Sequence, residues 1–300
     1  MRIRTLLFWI CLLAIGSPAT VWAWGPATHI GLGSAILDQL YLLPAGVAWI
    51  LRKNAAAFLF GNIAADVVFA KRLSRVRQFC HHWSTGLRLL EHAKDDRATA
   101  FGHGYMAHLA ADTVAHGKFV PRQIVLSGSR VNFGHLYWEL RADGLEQNES
   151  WRRLRYILAL DHRDHHDTLE PYIQDTFLPY TMNRMLFHRV NALVVKPQFR
   201  RSMRRIRNSS RWPLSRELMN GYRSECIDRI CSILSEGERS PLMREDPNGT
   251  SALMKLSVHR RQIRRLHRRG LATEVRLRES ALGFEPNPDL AEHAAVSTIA

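Results

Sequence analysis

Residues 107–116 read Ala-His-Leu-Ala-Ala-Asp-Thr-Val-Ala-His, and the spacing of three polar groups in that apolar run decides how the rest of the chain is read. In a helix His108, Asp112 and His116 stand at i, i+4 and i+8, so their side chains leave one face with only modest drift around the axis. The alanines, Leu109 and Val114 make that helix a buried one. A single buried histidine is most often a core residue with a satisfied ring. Three metal-competent groups on one apolar face are a different case, because burying them without a cation is expensive. Residues 135–143 repeat the arrangement, with His135, Glu139 and Asp143 one turn apart. Two such helices facing each other can build a multinuclear site in the core of a bundle.

Three further fragments carry ligand types. In Trp24-Gly-Pro-Ala-Thr-His29, cleavage before Trp24 would free an α-amine whose pKa of about 8 lets a metal displace its proton, with His29 able to join the same ion. Gly61-Asn-Ile-Ala-Ala-Asp66 isolates one acid in an apolar run. Cys80-His81-His82-Trp83 offers adjacent histidines whose side chains diverge, so one of the two reaches a given ion.

Elsewhere apolar residues recur at helical spacing, as in Ile36, Leu37 and Leu40, in Leu154, Ile157 and Leu158, and in Ile227, Ile230 and Leu234, while alternating strand patterns are scarce. The expected fold is all-α, a multi-helix bundle. Breaks are expected near Pro44, across residues 118–132, at Pro171 and Pro179, and in the Asp246-Pro-Asn-Gly turn. The segment Asp161-His-Arg-Asp-His-His-Asp167, though rich in ligand types, reads as a solvated turn.

At the start, Arg2 and Arg4 precede an apolar run from Leu6 to Ile15, followed by Pro18 and Val21-Trp22-Ala23. That is the pattern of a signal peptide cleaved after Ala23, and the run is too short for a comfortable membrane span. The expected organisation is a leader at 1–23, a single all-α catalytic domain at 24–285 with a basic helical part from about 185, and a flexible tail at 286–300. The location implied is secreted or periplasmic. Only Cys80, Cys226 and Cys231 remain after cleavage, too few for a disulfide framework. The formal charge of +15 favours anionic partners, whether phospholipid surfaces, nucleic acid or phosphate esters. Two arginine-rich segments, 196–216 and 255–278, read singly as solvated helical faces and together as a landing surface for an anionic membrane.

An N-terminal Trp, a following His, a lone Asp, a His before an aromatic, then His-x-x-x-Asp, His and His-x-x-x-Glu occur in that order, and in this the chain resembles the bacterial zinc-dependent phospholipase C family. The resemblance covers residues 24 to about 143. It implies an all-α bundle around a buried site for up to three zinc ions, and hydrolysis of a phospholipid head-group phosphodiester by a zinc-activated water. By that resemblance Asp66, His81, His108 and Asp112 hold one zinc; Trp24 and His29 hold a second and share Asp112 as a bridge; His116, His135 and Glu139 hold the third. His81 is preferred to His82 because the family pattern reads His, aromatic, aromatic. Asp66 is the candidate general base. One departure is that the family spaces the Asp and the next His further apart, with a proline between, whereas Asp112 and His116 are one turn apart. Asp143 is a further ligand or an acceptor that orients a histidine, and Trp83, Tyr105, Tyr137 and Trp138 read as the wall of the site. Two alternatives stand beside this reading. One is a single-strand-specific zinc nuclease, which shares the N-terminal Trp and the ligand order and suits the basic segments but ends its series in Asp where this chain has Glu139. The other is a non-catalytic, zinc-stabilised, membrane-associated protein.

Overall fold

The computed structural model describes residues 24–69, 79–127, 131–173, 176–269, 279 and 281–287. The expected leader, and the tail from 288 on, lie outside the described residues. In chain order the helices are α1 (Pro26–Asp38), α2 (Ala45–Lys53), α3 (Ala55–Ala64), α4 (Trp83–Glu91), α5 (Asp96–Val114), α6 (Val120–Ser127) and α7 (Val131–Asp143). They continue with α8 (Asn148–Ala159), α9 (Arg163–Leu169), α10 (Tyr180–Val194), α11 (Pro197–Ser209), α12 (Arg216–Glu236) and α13 (Thr250–Arg268), and the described residues contain no strand. The expected all-α architecture is the one found.

Helix α5 organises the bundle. Asp95 caps it by accepting from the Ala98 N–H at 2.7 Å, and from Ala100 to Val114 nearly every side chain is buried. Its small residues let neighbours approach closely. At the crossing of α3 and α5, a Cβ on Gly61 would stand 2.2 Å from the Phe101 carbonyl oxygen, and one on Gly104 would stand 2.0 Å from that of Phe58. Only glycine allows the two backbones to touch there. Helices α4, α12 and α1 also pack on α5, and the buried apolar side chains form one connected cluster running from Trp24 to Phe284. Cys80, Cys226 and Cys231 are free thiols within or beside it.

Two expectations fail locally. The break expected across 118–132 is helical for much of its length. Helix α5 passes through a single wide turn, Ala115–Phe119, in which the Val120 N–H reaches back to the Ala115 carbonyl, and then continues as α6. Pro121 is tolerated because it falls in the first turn of α6, where a missing N–H costs little. Such π-type turns recur at functional sites, and this one carries His116.

The segment 161–167 is also not a solvated turn. His162, His165 and His166 share one face of α9 and its entry and are buried, while Asp161, Arg163 and Asp164 stay exposed. The His162 ring stacks on Phe60 at 3.7 Å and the His165 ring on Phe101 at 4.7 Å. His166 accepts from or donates to Tyr180 Oη at 2.9 Å and lies 3.0 Å from His188 Nε2. An i, i+3, i+4 spacing of aromatic rings made this an amphipathic helix, and the charged residues between them hid it.

Burial pushes the His165 imidazole down to about 4, against an ordinary 6.5. Below pH 6.5 the unfolded chain therefore takes up a proton that the folded chain refuses. Stability is full above that pH and falls as pH drops toward 4, by up to about 1.4 kcal/mol per pH unit for one such group. His165 Nε2 is buried without a hydrogen bond, so phenylalanine can occupy its place in the stack. His165→Phe is expected to raise the urea midpoint at pH 5 while leaving it nearly unchanged at pH 8. Parallel loss of stability in both proteins down to pH 4.5 would disprove the assignment.

Candidate metal centre

The centre assembles where α1, α3, α5 and the 3₁₀ turn Phe79–His81 meet. Helix α5 presents His108 and Asp112 from its buried face. The last turn of α3, where helical carbonyls are left for outside partners, offers the Asn62 carbonyl to His108 Nδ1 at 2.8 Å. A carbonyl only accepts, so Nδ1 carries a proton there, which leaves Nε2 as the ring atom that could meet a metal. That Nε2 faces His81 Nε2 at 3.1 Å and Asp112 Oδ2 at 3.1 Å. His81 Nε2 is in turn 3.1 Å from Asp112 Oδ2 and 3.3 Å from Asp66 Oδ1. His29 stacks on His108 with ring centres 4.0 Å apart and points Nε2 at the other carboxylate oxygen, Asp112 Oδ1, at 3.5 Å.

This geometry tests whether zinc fits. A proton can bridge one pair of these atoms but not all of them, whereas a divalent ion accepts every lone pair at once. Tetrahedral zinc with ligands at about 2.0–2.1 Å places its donors roughly 3.3 Å apart, close to the 3.1–3.5 Å spacings here. Two triads, His29 with Asp66 and His108, and His81 with His108 and Asp112, bring one donor atom each within 4.8 Å of the others. Burial alone would raise the Asp112 carboxyl, but His108 beside it, with His29 and His81, holds it well below the usual range, so it is ionised. Burial and the nearby His108 push His29 down, toward the neutral form a metal needs.

The remaining expected residues are close but less tightly gathered. His116 Nε2 stands 3.8 Å from Asp112 Oδ2, and its ring centre is 5.7 Å from that of His135. Glu139 is buried on the same helix, α7. Among the described residues, His116, His135 and Glu139 do not form a converging triad like the other two. His81 is buried, whereas His82 is exposed and hydrogen-bonds Ser84. Trp24 is fully buried with its indole against His29 and Phe119.

Among the described residues Asp143 joins no candidate metal group and bonds no histidine. It is the cap of α1, accepting from the Thr28 N–H at 2.9 Å, the Ala27 N–H at 3.3 Å and the Thr28 hydroxyl at 2.6 Å. A Cβ on Gly25 would collide with its carboxylate at 2.1 Å. Asp143 thereby ties the segment bearing Trp24 and His29 to α7. Burial first, with Glu146 adding to it, lifts the Asp143 carboxyl to about 7 despite those donors.

Sequence reasoning missed the supports. The Tyr105 hydroxyl donates to the Cys80 carbonyl, Asn248 Nδ2 donates to the His81 carbonyl at 2.9 Å, and Trp83 Nε1 donates to the Glu245 carbonyl at 2.8 Å. Gly249, at φ +65°, packs so tightly on His116 that a Cβ would stand 2.6 Å from it. The Asp246–Gly249 turn, legible only as a break, thus braces two candidate ligands. The aromatic wall is engaged by the protein itself, since Arg141 lies over the rings of both Tyr137 and Trp138.

A protein-family model described as zinc dependent phospholipase C matches residues 28–186, more than half of the chain. No curated protein and no solved structure matches it.

Proposed function

Because the chain belongs to the zinc-dependent phospholipase C family, we propose that it is an exported hydrolase that cuts the head-group phosphodiester of a phospholipid. Its metal ligands in this reading are Trp24, His29, Asp66, His81, His108, Asp112, His116, His135 and Glu139, binding up to three zinc ions. The observation that carries the reading is the division of the Asp112 carboxylate, with Oδ2 toward His81 and His108 and Oδ1 toward His29. Asp112 would need that disposition to serve two ions.

Zinc held there supplies charge that neutralises the phosphate oxygens and lowers the pKa of water to about 7. The chain's own groups do the rest. The Asn62 carbonyl fixes the His108 tautomer. In this reading Asp66 takes the proton of the attacking water, and its side chain, at 11% exposed the most solvent-accessible of the cluster, supports that role. The new P–O bond forms from that water, the bond to the alcohol breaks, and the departing oxygen is protonated from solvent. Cleavage after Ala23 makes the Trp24 nitrogen an amine, and Asp143 keeps that end of the chain beside His29.

The test uses N-terminally processed, zinc-loaded protein assayed on phosphatidylcholine, single-stranded DNA and bis(p-nitrophenyl) phosphate. Turnover abolished by chelator, restored by zinc and favouring phosphatidylcholine is the expected result. A strong preference for DNA would replace the lipid assignment with the nuclease one. No turnover in fully loaded protein would leave the metal structural.

A further inference from the structure

The first turn of α8, the loop before it and helix α11 enclose a cleft of about 560 Å³ that contains none of the candidate metal ligands. Arg200, Arg204, Arg207 and Arg216 line it, together with Arg152. Its two acids are already engaged. Glu146 accepts from Arg223 and from Ser150, and Glu149 accepts from Arg152 and Arg153. Among the described residues, Arg200, Arg204, Arg207 and Arg216 make no ion pair, though Arg216 acts on Glu146 at longer range, so five guanidinium groups face two acids across one concave space and positive charge is in excess. Burial and the neighbouring Arg204 and Arg155 push the Arg200 guanidinium down from its ordinary value, a sign of like charges held close.

Three of these four side chains are held rather than splayed. Arg200 donates to Asn148 Oδ1 at 2.6 Å and lies over the Trp151 ring at 5.1 Å. Arg207 donates to the Gly144 carbonyl at 3.3 Å and Arg216 to the Leu145 carbonyl at 3.4 Å. Each anchor uses only part of a five-donor fork. The remaining N–H groups are preorganised for a planar or tetrahedral oxyanion, which arginine binds in pairs of parallel hydrogen bonds.

The geometry points to a second binding site, distinct from the metal centre, that takes a phosphate-monoester anion such as the exposed head group of an anionic phospholipid. Its occupancy holds the protein on an anionic bilayer through residues none of which is a candidate metal ligand. The inference does not require the metal centre to be catalytic, because its readout is binding.

The experiment measures sedimentation of the zinc-loaded protein with phosphatidylcholine vesicles containing or lacking phosphatidic acid, with inorganic pyrophosphate as soluble competitor. Arg204→Gln is the first variant, since Arg204 is exposed and makes no intramolecular hydrogen bond or ion pair among the described residues; Arg200→Gln with Arg204→Gln is the second. Binding only to phosphatidic acid vesicles, weakened about fivefold by the single change and on the order of tenfold or more by the double, is expected, with unchanged melting temperature and unchanged hydrolysis of bis(p-nitrophenyl) phosphate. Competition by pyrophosphate identifies phosphate itself as the recognised group, and failure to compete assigns recognition to the bilayer-held head group; both keep the site. Vesicle binding equal in wild type and both variants, or wild-type protein that binds single-stranded DNA but neither phosphatidic acid nor pyrophosphate, would overturn it.

Discussion

Asp112→Asn is expected to lose bound zinc and to lower phosphodiester hydrolysis by on the order of a hundredfold or more, while Asp161→Asn leaves both unchanged. Changes to residues that merely orient a ligand already cost about 10–100-fold in metal affinity or activity, and Asp112 stands nearer the centre than that. Its two oxygens face three imidazoles at 3.1–3.5 Å and a fourth at 3.8 Å. Asparagine keeps the shape but replaces one oxygen with an N–H₂ group that cannot accept, and it removes the negative charge that offsets the cations. Asp161 is an exposed acid paired with Arg163, so it controls for the loss of any carboxylate. Metal content after dialysis against a weak chelator is the measurement. Equal zinc in the two variants would mean that the wrong cluster has been chosen.

Gly104→Ala is expected to destabilise the fold by about 3 kcal/mol or more, or to prevent its formation. On an open helical surface the same change would stabilise, because alanine is the better helix former by about 1 kcal/mol. Here the new methyl would stand 2.0 Å from the Phe58 carbonyl oxygen and 3.0 Å from the Gly61 Cα. Those are backbone atoms, so the clash is relieved only by parting α3 from α5, which adds a steric cost beyond ordinary overpacking. Parting them also draws the Asn62 carbonyl away from His108, so surviving folded protein should bind zinc weakly. Gly46→Ala is the control, since nothing lies within 4 Å of the position its Cβ would take. A melting temperature for Gly104→Ala equal to that of Gly46→Ala would refute the close crossing.

The two predictions differ in how visible their residues were beforehand. Asp112 announced itself, because an acid one turn from histidines on both sides in an alanine-rich run has few inexpensive explanations. Asp66 did so for a similar reason, as a lone charge among apolar neighbours. Gly104 gave no signal, since a glycine within a helical pattern looks the same whether it faces solvent or another backbone. Asn248 and Gly249 were readable only as a turn; that this turn returns to brace His81 and His116 depends on a contact spanning 167 residues for Asn248. Asp143 was visible as a ligand type and misassigned, because its partners, Ala27 and Thr28, lie 116 and 115 residues away. In segment 161–167 the charged residues masked a buried face of rings, and at Ala115–Phe119 the helix widened where a loop was expected.

Local order therefore settled the helical class and the helix faces from which His108, Asp112 and Glu139 project, since a 3.6-residue period is a property of a dozen consecutive residues, while the full set of candidate ligands came from the order of residues that the family resemblance picks out. Packing decided which oxygen of Asp112 meets which imidazole, which histidine of the adjacent pair turns inward, and which carbonyl fixes the His108 proton. Those choices depend on backbones brought within a few ångströms across more than a hundred residues of chain, and no periodicity in a single segment encodes such an approach.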